Sequence, residues 1–220
     1  MKRVIMFVGM AMAVWLSAAE GALIRIDITA VVDEIIEADN YLNGRIRIGD
    51  VITGSYTYNT DIPDSSASSN VGRYEHYAYP SGFSLSVGGF DFVTDTVSPN
   101  FLIEIVNNFP GDAYSVISYR NLALSDGMSV NNISWGLRNY LASEAAISSI
   151  DLFAMAPVLG DWMTNSLQFG AGSGSRRTGE PATGFGIIAH VTSAVAIPEP
   201  ATMSLLGLGA VALRRRRKRG

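Results

Sequence analysis

The chain has 220 residues, and its formal net charge of −4 averages segments of opposite character. Eight of the sixteen Lys and Arg residues lie at the two ends, at residues 2–3 and 214–219. Residues 22–196 hold eight Arg, no Lys and eighteen Asp and Glu, which gives this body a net charge of −10. An acidic body argues against a nucleic-acid binder, because it has no basic stripe to neutralise phosphates. With no cysteine, disulfides, thiolate zinc sites and thiol nucleophiles are excluded as well.

The first 21 residues have the three parts of a secretory signal peptide. Lys2 and Arg3 make the start positive, residues 4–16 are thirteen uncharged, mainly apolar residues, and residues 17–19 supply the small side chains that signal peptidase requires. Thirteen residues are fewer than the ~20 of a membrane-spanning helix. We therefore expect residues 1–21 to be a signal peptide that signal peptidase removes.

Between the two ends, apolar and polar residues alternate with the period of two that is typical of half-buried β-strands. Two adjacent glycines, Gly88 and Gly89, separate two such runs and indicate a two-residue hairpin. Short helices are a weaker expectation at residues 140–147 and 160–167. Strands are predicted at residues 23–32, 45–48, 54–58, 83–87, 90–94, 101–106, 114–119, 130–137, 149–155 and 185–197.

About ten short strands with no regular alternation of strand and helix predict an all-β fold. The specific expectation is an antiparallel β-sandwich, jelly-roll-like, over residues 22–196. This domain would be flanked by the signal peptide at residues 1–21 and by a C-terminal segment at residues 197–220.

Oxygen-bearing side chains follow the strand predicted at residues 54–58. Asn59, Asp61 and Asp64 stand at the spacing of some Ca²⁺ loops, but the glycine and the distal glutamate of an EF-hand are missing. A turn capped by Asx side chains explains the same residues. These three are the weak metal-ligand candidates of the chain, and no other cofactor is expected.

Two histidines, His76 and His190, are the only candidates for a His-dependent base, and neither neighbours a G-x-S-x-G nucleophile motif. We expect ordinary core or surface histidines and no catalytic residues. Glycoside hydrolysis needs two facing carboxylates, which eighteen acidic residues neither support nor exclude. Sugar stacking is open to Trp135, Trp162, Tyr74, Tyr77 and Tyr79, although aromatic residues at strand positions more often form a core.

The C-terminal segment has three successive parts. Pro198, Glu199 and Pro200 favour an extended backbone, residues 201–213 form an apolar run of thirteen, and six basic residues follow. The apolar run predicts a single hydrophobic helix, and the basic residues predict a stop-transfer signal on the cytoplasmic side. As a helix this run would measure about 20 Å against a hydrocarbon core of about 30 Å, which suits a transient anchor.

In this order, the three parts resemble the PEP-CTERM sorting signal. Pro198, Glu199 and Pro200 match the motif, and the basic end consists of Arg214, Arg215, Arg216, Arg217, Lys218 and Arg219. The resemblance covers residues 197–220. It implies recognition by an exosortase, a membrane transpeptidase that cuts at or near the motif, in a Gram-negative bacterium that makes exopolysaccharide.

We therefore expect an exported, non-enzymatic protein that is transiently anchored in the inner membrane and then reaches the cell surface or the extracellular matrix. Its role would be structural or adhesive, in association with exopolysaccharide in a biofilm. One alternative is a carbohydrate-binding module, which predicts an exposed aromatic strip. A second is a polysaccharide-active hydrolase, which predicts a cleft with two carboxyl groups roughly 5–10 Å apart.

Overall fold

The computed structural model describes residues 23–37, 40–141, 146–173 and 183–197. The predicted signal peptide and residues 198–220, with the predicted hydrophobic helix, lie outside the described residues. Within them the fold is all-β, as predicted. The strands are β1 (Leu23–Glu37), β2 (Val51–Asn59), β3 (Val71–His76), β4 (Gly82–Val87), β5 (Phe90–Val93), β6 (Phe101–Val106), β7 (Ala113–Ser118), β8 (Ile133–Arg138), β9 (Thr164–Ser173) and β10 (Thr183–Ile197).

The strands form one antiparallel sheet in the order β3-β6-β7-β8-β9-β10-β1-β2-β4-β5. Side chains from strands that are distant in this order meet inside. Phe83 on β4 lies 5.7 Å from Phe101 on β6, and Phe92 on β5 lies 4.5 Å from Phe169 on β9, measured between ring centroids. The sheet is therefore curled around a single core. The finer prediction of a jelly-roll-like sandwich is not confirmed, since one continuous ladder joins all ten strands.

The centre of the sheet is formed by its two longest strands, β1 and β10, of 15 residues each. They pair antiparallel from Arg25 opposite Ile197 to Glu37 opposite Phe185. Consequently, the first and the last described residues of the chain lie side by side at the same end of the sheet.

The core is built on aromatic residues from opposite parts of the curled sheet. Trp135, which is fully buried, has its ring 5.8 Å from that of Tyr56 and 6.1 Å from that of Tyr114. The hydroxyl groups of the two tyrosines lie 3.1 Å apart, so each is the other's hydrogen-bond partner. Trp135 Nε1 donates to Asn165 Oδ1 at 2.9 Å. Burial holds the pKa of Tyr56 well above its usual value, so this phenol stays neutral in the core.

The hairpin predicted at Gly88 and Gly89 is confirmed. Both glycines have positive φ, of 58° and 78°, and connect Val87 of β4 to its partner Phe90 of β5. Two successive left-handed residues are what a tight hairpin with the natural strand twist requires.

The strand predicted at residues 45–48 is wrong, because these residues form turns. Arg45 donates its amide to the carbonyl of Leu42, and Asp50 donates its amide to that of Arg47. Of the two isoleucines that alternate with arginine in this segment, Ile46 is buried in the core and Ile48 is 70% exposed. A loop residue inserted into the core therefore reproduced the pattern of a strand.

The strand predicted at residues 149–155 is also wrong, because this segment consists of bends and irregular backbone. It closes one side of the core. Its backbone carbonyls accept hydrogen bonds from core tyrosines, that of Ile150 from Tyr74 and that of Phe153 from Tyr58. The apolar residues that suggested a strand pack on the core from a loop.

The helix predicted at residues 160–167 is wrong as well. A 3₁₀ turn spans Leu159–Asp161, and β9 begins at Thr164, with Leu167 and Phe169 pointing inward. The helix predicted at residues 140–147 falls partly outside the described residues, and 140–141 and 146–147 are not helical. Strand β3 had not been predicted, because the polar residues before it suggested a loop.

Candidate functional site

The weak Ca²⁺ candidates use their side-chain oxygens in turns. Asn59 Oδ1 accepts the amide of Asp61 at 2.9 Å, and Asp64 Oδ1 accepts the amides of Ser66 and Arg73 at 2.8 Å each. These hydrogen bonds are typical of Asx turns, the alternative interpretation of the sequence. Across the described ranges, no group of three or more His, Cys, Asp or Glu side chains is arranged to hold a metal ion.

The two histidines occupy contrasting environments. His76 is 1% exposed, and its ring nitrogens lie 3.1 Å from the carbonyl oxygens of Tyr74 and Asn59. Burial lowers the pKa of His76 below its usual value, and the neighbouring carbonyls oppose this shift only in part. His190 is exposed on β10, with Nδ1 at 2.7 Å and 2.9 Å from the carboxylate oxygens of Asp33 on β1.

The five aromatic residues considered for sugar stacking are divided by the fold. Trp135 and Tyr74 are buried, and Trp162 is half-buried and packs against the core. Tyr77 and Tyr79 are exposed, at 63% and 70%. Only the last two therefore offer open aromatic faces to a ligand.

A cavity of about 600 Å³ lies on the outer face of the sheet, at the end where the described chain begins and ends. We call it the terminal groove; Arg25, Thr57, Tyr79, Pro80, Asp95 and Ile197 are among its lining residues. Its floor includes a row of cross-strand neighbours, in which Ile197 of β10 pairs with Arg25 of β1, and Arg25 pairs with Thr57 of β2. The central strand pair thus forms part of the floor.

The walls of the terminal groove are two loops with different chemistry. The turn before β4 contributes the exposed ring of Tyr79 and the neighbouring Pro80. The loop after β5 contributes Asp95, the one carboxylate among the described lining residues, whose Oδ1 accepts the amides of Val97 at 2.9 Å and Ser98 at 3.3 Å. Arg25 on the floor is the one cation among the described lining residues.

Arg25 retains donor capacity. Its Nε donates to Asp27 Oδ1 at 2.7 Å, and 58% of the Arg25 side chain is exposed. A guanidinium group has five N–H donors, so a single bond from Nε leaves four for a further acceptor. The groove therefore combines a cation on its floor with an aromatic ring on its wall.

A second, shallower depression lies on the outer face of β3 and β6, with a volume of about 310 Å³. We call it the tyrosine platform; it is lined by Arg73, Glu75, Tyr77, Asn100, Leu102 and Tyr119. Tyr77 donates its hydroxyl to Glu75 at 3.0 Å, and Arg73 donates to Glu104 at 2.8 Å. The Glu75 bond raises the pKa of Tyr77, so its hydroxyl stays protonated.

Tyr119, which is 43% exposed, had not been singled out from the sequence. It comes from the chain just after β7, whereas Tyr77 follows β3, and the sheet order brings these strands to either side of β6. The one available signal was an aromatic residue at the end of a predicted strand, which is common in any β-protein.

Comparison with known protein families identifies the C-terminal segment. Residues 196–218 match the model of the PEP-CTERM protein-sorting motif, so the match begins within the last two residues of β10. It covers Pro198, Glu199 and Pro200 and extends through the basic residues to Lys218. No curated protein and no solved structure matches the chain. The part of the chain that the structure describes has no helix with the length and apolar character to span a membrane.

The resemblance seen in the sequence is therefore confirmed over a contiguous segment. The motif indicates an extracellular protein that is exported and sorted to the cell surface with the help of an exosortase. The chain is a PEP-CTERM sorting domain-containing protein.

Proposed function

We propose that the chain is the precursor of a non-enzymatic surface or extracellular-matrix protein of a Gram-negative bacterium, associated with exopolysaccharide in a biofilm. The observation that carries the proposal is the sorting motif at residues 196–218, which follows the central strand of the domain without a linker. Signal peptidase removes residues 1–21, and the apolar run at residues 201–213 anchors the precursor in the inner membrane until the exosortase acts.

The β-domain serves as a structural scaffold, working as a sandwich-like unit whose two halves share one core. In favour of a non-enzymatic role, the one carboxylate among the described lining residues of the terminal groove has a structural role. Asp95 Oδ1 accepts the backbone amides of Val97 and Ser98. His76 is enclosed in the core and therefore cannot meet a substrate.

The tyrosine platform favours a second candidate function, that of a carbohydrate-binding module. Two exposed aromatic rings, Tyr77 and Tyr119, stand around a polar depression that also contains Glu75 and Asn100. The apolar face of a sugar ring packs on an aromatic ring, while amide and carboxylate groups bind its hydroxyls. This arrangement suits a neutral sugar unit, because the acidic body disfavours a polyanion.

The sorting proposal is tested in a host that carries an exosortase. The Glu199→Ala variant and a variant without residues 214–219 should remain in the membrane fraction with the mass of the unprocessed precursor. Glu34→Ala removes an exposed carboxylate from β1 and should be sorted like the wild type. Release and mass equal to wild type in the Glu199→Ala variant would show that the motif is idle.

The carbohydrate proposal is tested by screening the exported protein against an array of glycans. Binding should fall at least tenfold in the Tyr77→Ala/Tyr119→Ala variant, since each contact between a sugar ring and an aromatic ring contributes on the order of 1 kcal/mol and two are lost. Tyr140→Ala, which removes another exposed ring (59%), is the matched control. Binding that survives the double substitution would rule out the platform, and silence on the array would leave the scaffold role as the function.

A further inference from the structure

The last strand delivers the sorting motif directly to the terminal groove. Ile197 ends β10 and lines the groove, and Pro198, Glu199 and Pro200 follow it in the sequence. Successive Cα atoms are about 3.8 Å apart, so these three residues extend at most about 11 Å beyond Ile197. The Pro-Glu-Pro segment is therefore tied to the rim of a cavity on the same domain.

The pairing of β1 with β10 indicates where the glutamate would point. Arg25 lies opposite Ile197 in an antiparallel ladder, so an extended continuation of β10 would bring Glu199 opposite Leu23. Side chains alternate along a strand, and Glu199 would share the outer face with Ile197 and Arg25. Diagonal neighbours on one face lie about 7–8 Å apart, which long side chains such as Arg and Glu can bridge.

The composition of the segment favours such a continuation. Proline fixes φ near −65° and restricts the residue before it to extended conformations. The pairing of β10 with β9 stops at Ala189, so β1 is the partner of the last part of β10 within the described residues. Proline is tolerated on a strand that is open on one side, because its missing N–H costs no ladder bond there.

The groove offers a partner for the charged group of the segment. The Arg25 guanidinium has donors beyond the one bound to Asp27 and is opposite in charge to Glu199. The volume of about 600 Å³ is in the usual range for sites that enclose a small ligand.

We propose that the terminal groove binds the chain's own Pro198-Glu199-Pro200 segment, with the Glu199 carboxylate on Arg25. In the precursor, the folded domain then shields its own sorting motif and slows exosortase cleavage. The shielding rests on the proposed sorting function, whereas the docking does not.

The docking is tested by thiol labelling of the full-length precursor in detergent micelles. The chain has no cysteine, so Ala201→Cys creates a single thiol next to the segment while Glu199 is retained. We expect Arg25→Gln to raise the rate of maleimide labelling up to about fivefold, the factor that a partly exposed ion pair allows. Arg138→Gln, which alters an exposed arginine on β8, should leave the rate unchanged.

A charge exchange distinguishes docking from a general loosening of the domain. In the Ala201→Cys protein, which is the parent of this series, the double substitution Arg25→Glu/Glu199→Arg restores opposite charges and should return the labelling rate to that of the parent. Either substitution alone should give faster labelling. Equal rates in the parent and in the Arg25→Gln variant, whether fast or slow, would overturn the docking.

The consequence for sorting is measured separately, by pulse-chase in a host with an exosortase. Arg25→Gln should be converted to the processed form faster than the wild type. Conversion at the wild-type rate, together with faster labelling, would overturn the shielding. Failure of the proposed function looks different, since neither the wild type nor the Glu199→Ala variant would then depend on the exosortase, and the labelling result would be unaffected.

Discussion

The paired phenols in the core give the sharpest prediction about stability. Tyr56 and Tyr114 are at most 1% exposed, and their hydroxyl oxygens are 3.1 Å apart. Tyr56→Phe would remove one hydroxyl and leave the other buried without its partner. Such a change costs the hydrogen bond and also the desolvation of the orphaned group, about 1–3 kcal/mol in the free energy of unfolding.

The double substitution should cost little more than either single one. Once Tyr56 is Phe, changing Tyr114 to Phe removes a hydroxyl that no longer has a partner, so the second step should be near zero or favourable. With about 2 kcal/mol for each single change, the coupling free energy of the cycle is about 2 kcal/mol. For a domain of this size, each single change should lower Tm by about 4–8 °C.

Trp135 provides the signal for the measurement, because its ring lies within 5.8 Å and 6.1 Å of the two tyrosine rings. Urea unfolding of the four proteins, followed by its fluorescence, yields the cycle. Tyr140→Phe, at an exposed position, should leave the midpoint unchanged. Additive costs for the two single changes would show that the hydroxyls do not interact, and the proposed core hydrogen bond would then be refuted.

Three further outcomes follow from backbone packing, a buried carboxylate and a buried histidine. Gly54→Ala should lower the free energy of unfolding by more than about 3 kcal/mol, because the added Cβ would lie 2.1 Å from a carbonyl oxygen of β4. Gly136→Ala is the control and should cost less than about 1 kcal/mol, because a Cβ at this position meets no atom within 4 Å. Asp112→Ala should cost about 3 kcal/mol in urea unfolding, since this carboxylate accepts three backbone amides. His76→Gln should flatten the fall of Tm between pH 7 and pH 5.

The sign of the pH effect follows from the lowered pKa of His76. In the unfolded chain the His76 ring takes up a proton below about pH 6.5, whereas in the folded domain burial keeps it neutral to a lower pH. The contribution of His76 to the free energy of unfolding is therefore full above pH 6.5 and decreases as the pH falls toward the pKa of the folded state. An unchanged slope in the His76→Gln variant would contradict this reasoning. Likewise, equal costs at the two glycines would contradict the close contact, and an unchanged urea midpoint for Asp112→Ala would contradict its capping role.

Elements whose conformation depends on neighbouring residues could be predicted from the sequence. Residues 101–106, of which five are apolar, became β6 with the same bounds. The pair Gly88-Gly89 gave the hairpin, because only glycine adopts both left-handed conformations without strain. Failures occurred where a distant partner decides the backbone. Ile150 lies in a loop since the hydroxyl of Tyr74, 76 residues away, takes its carbonyl oxygen.

The same distinction applies to the sites. The sorting motif is contiguous, so its residues could be recognised in order. The terminal groove joins Arg25, Tyr79 and Ile197, and the tyrosine platform joins residues of β3, β6 and the end of β7. These groupings depend on strand order and register, and period-two alternation in a single sequence specifies neither.

The partnership of the first strand with the last links folding to the completion of export. Arg25 pairs with Ile197 across 172 positions of the chain, so the central ladder closes a loop that contains almost the whole domain. Closing such a loop is slow, and until it happens β1 has an open edge on which another chain could add a strand. When the N-terminus is exported first, this edge of β1 stays unpaired until residue 197 has crossed the membrane. The pairing of β1 with β10, and with it the sheet, can therefore be completed only when the sorting motif has reached the membrane.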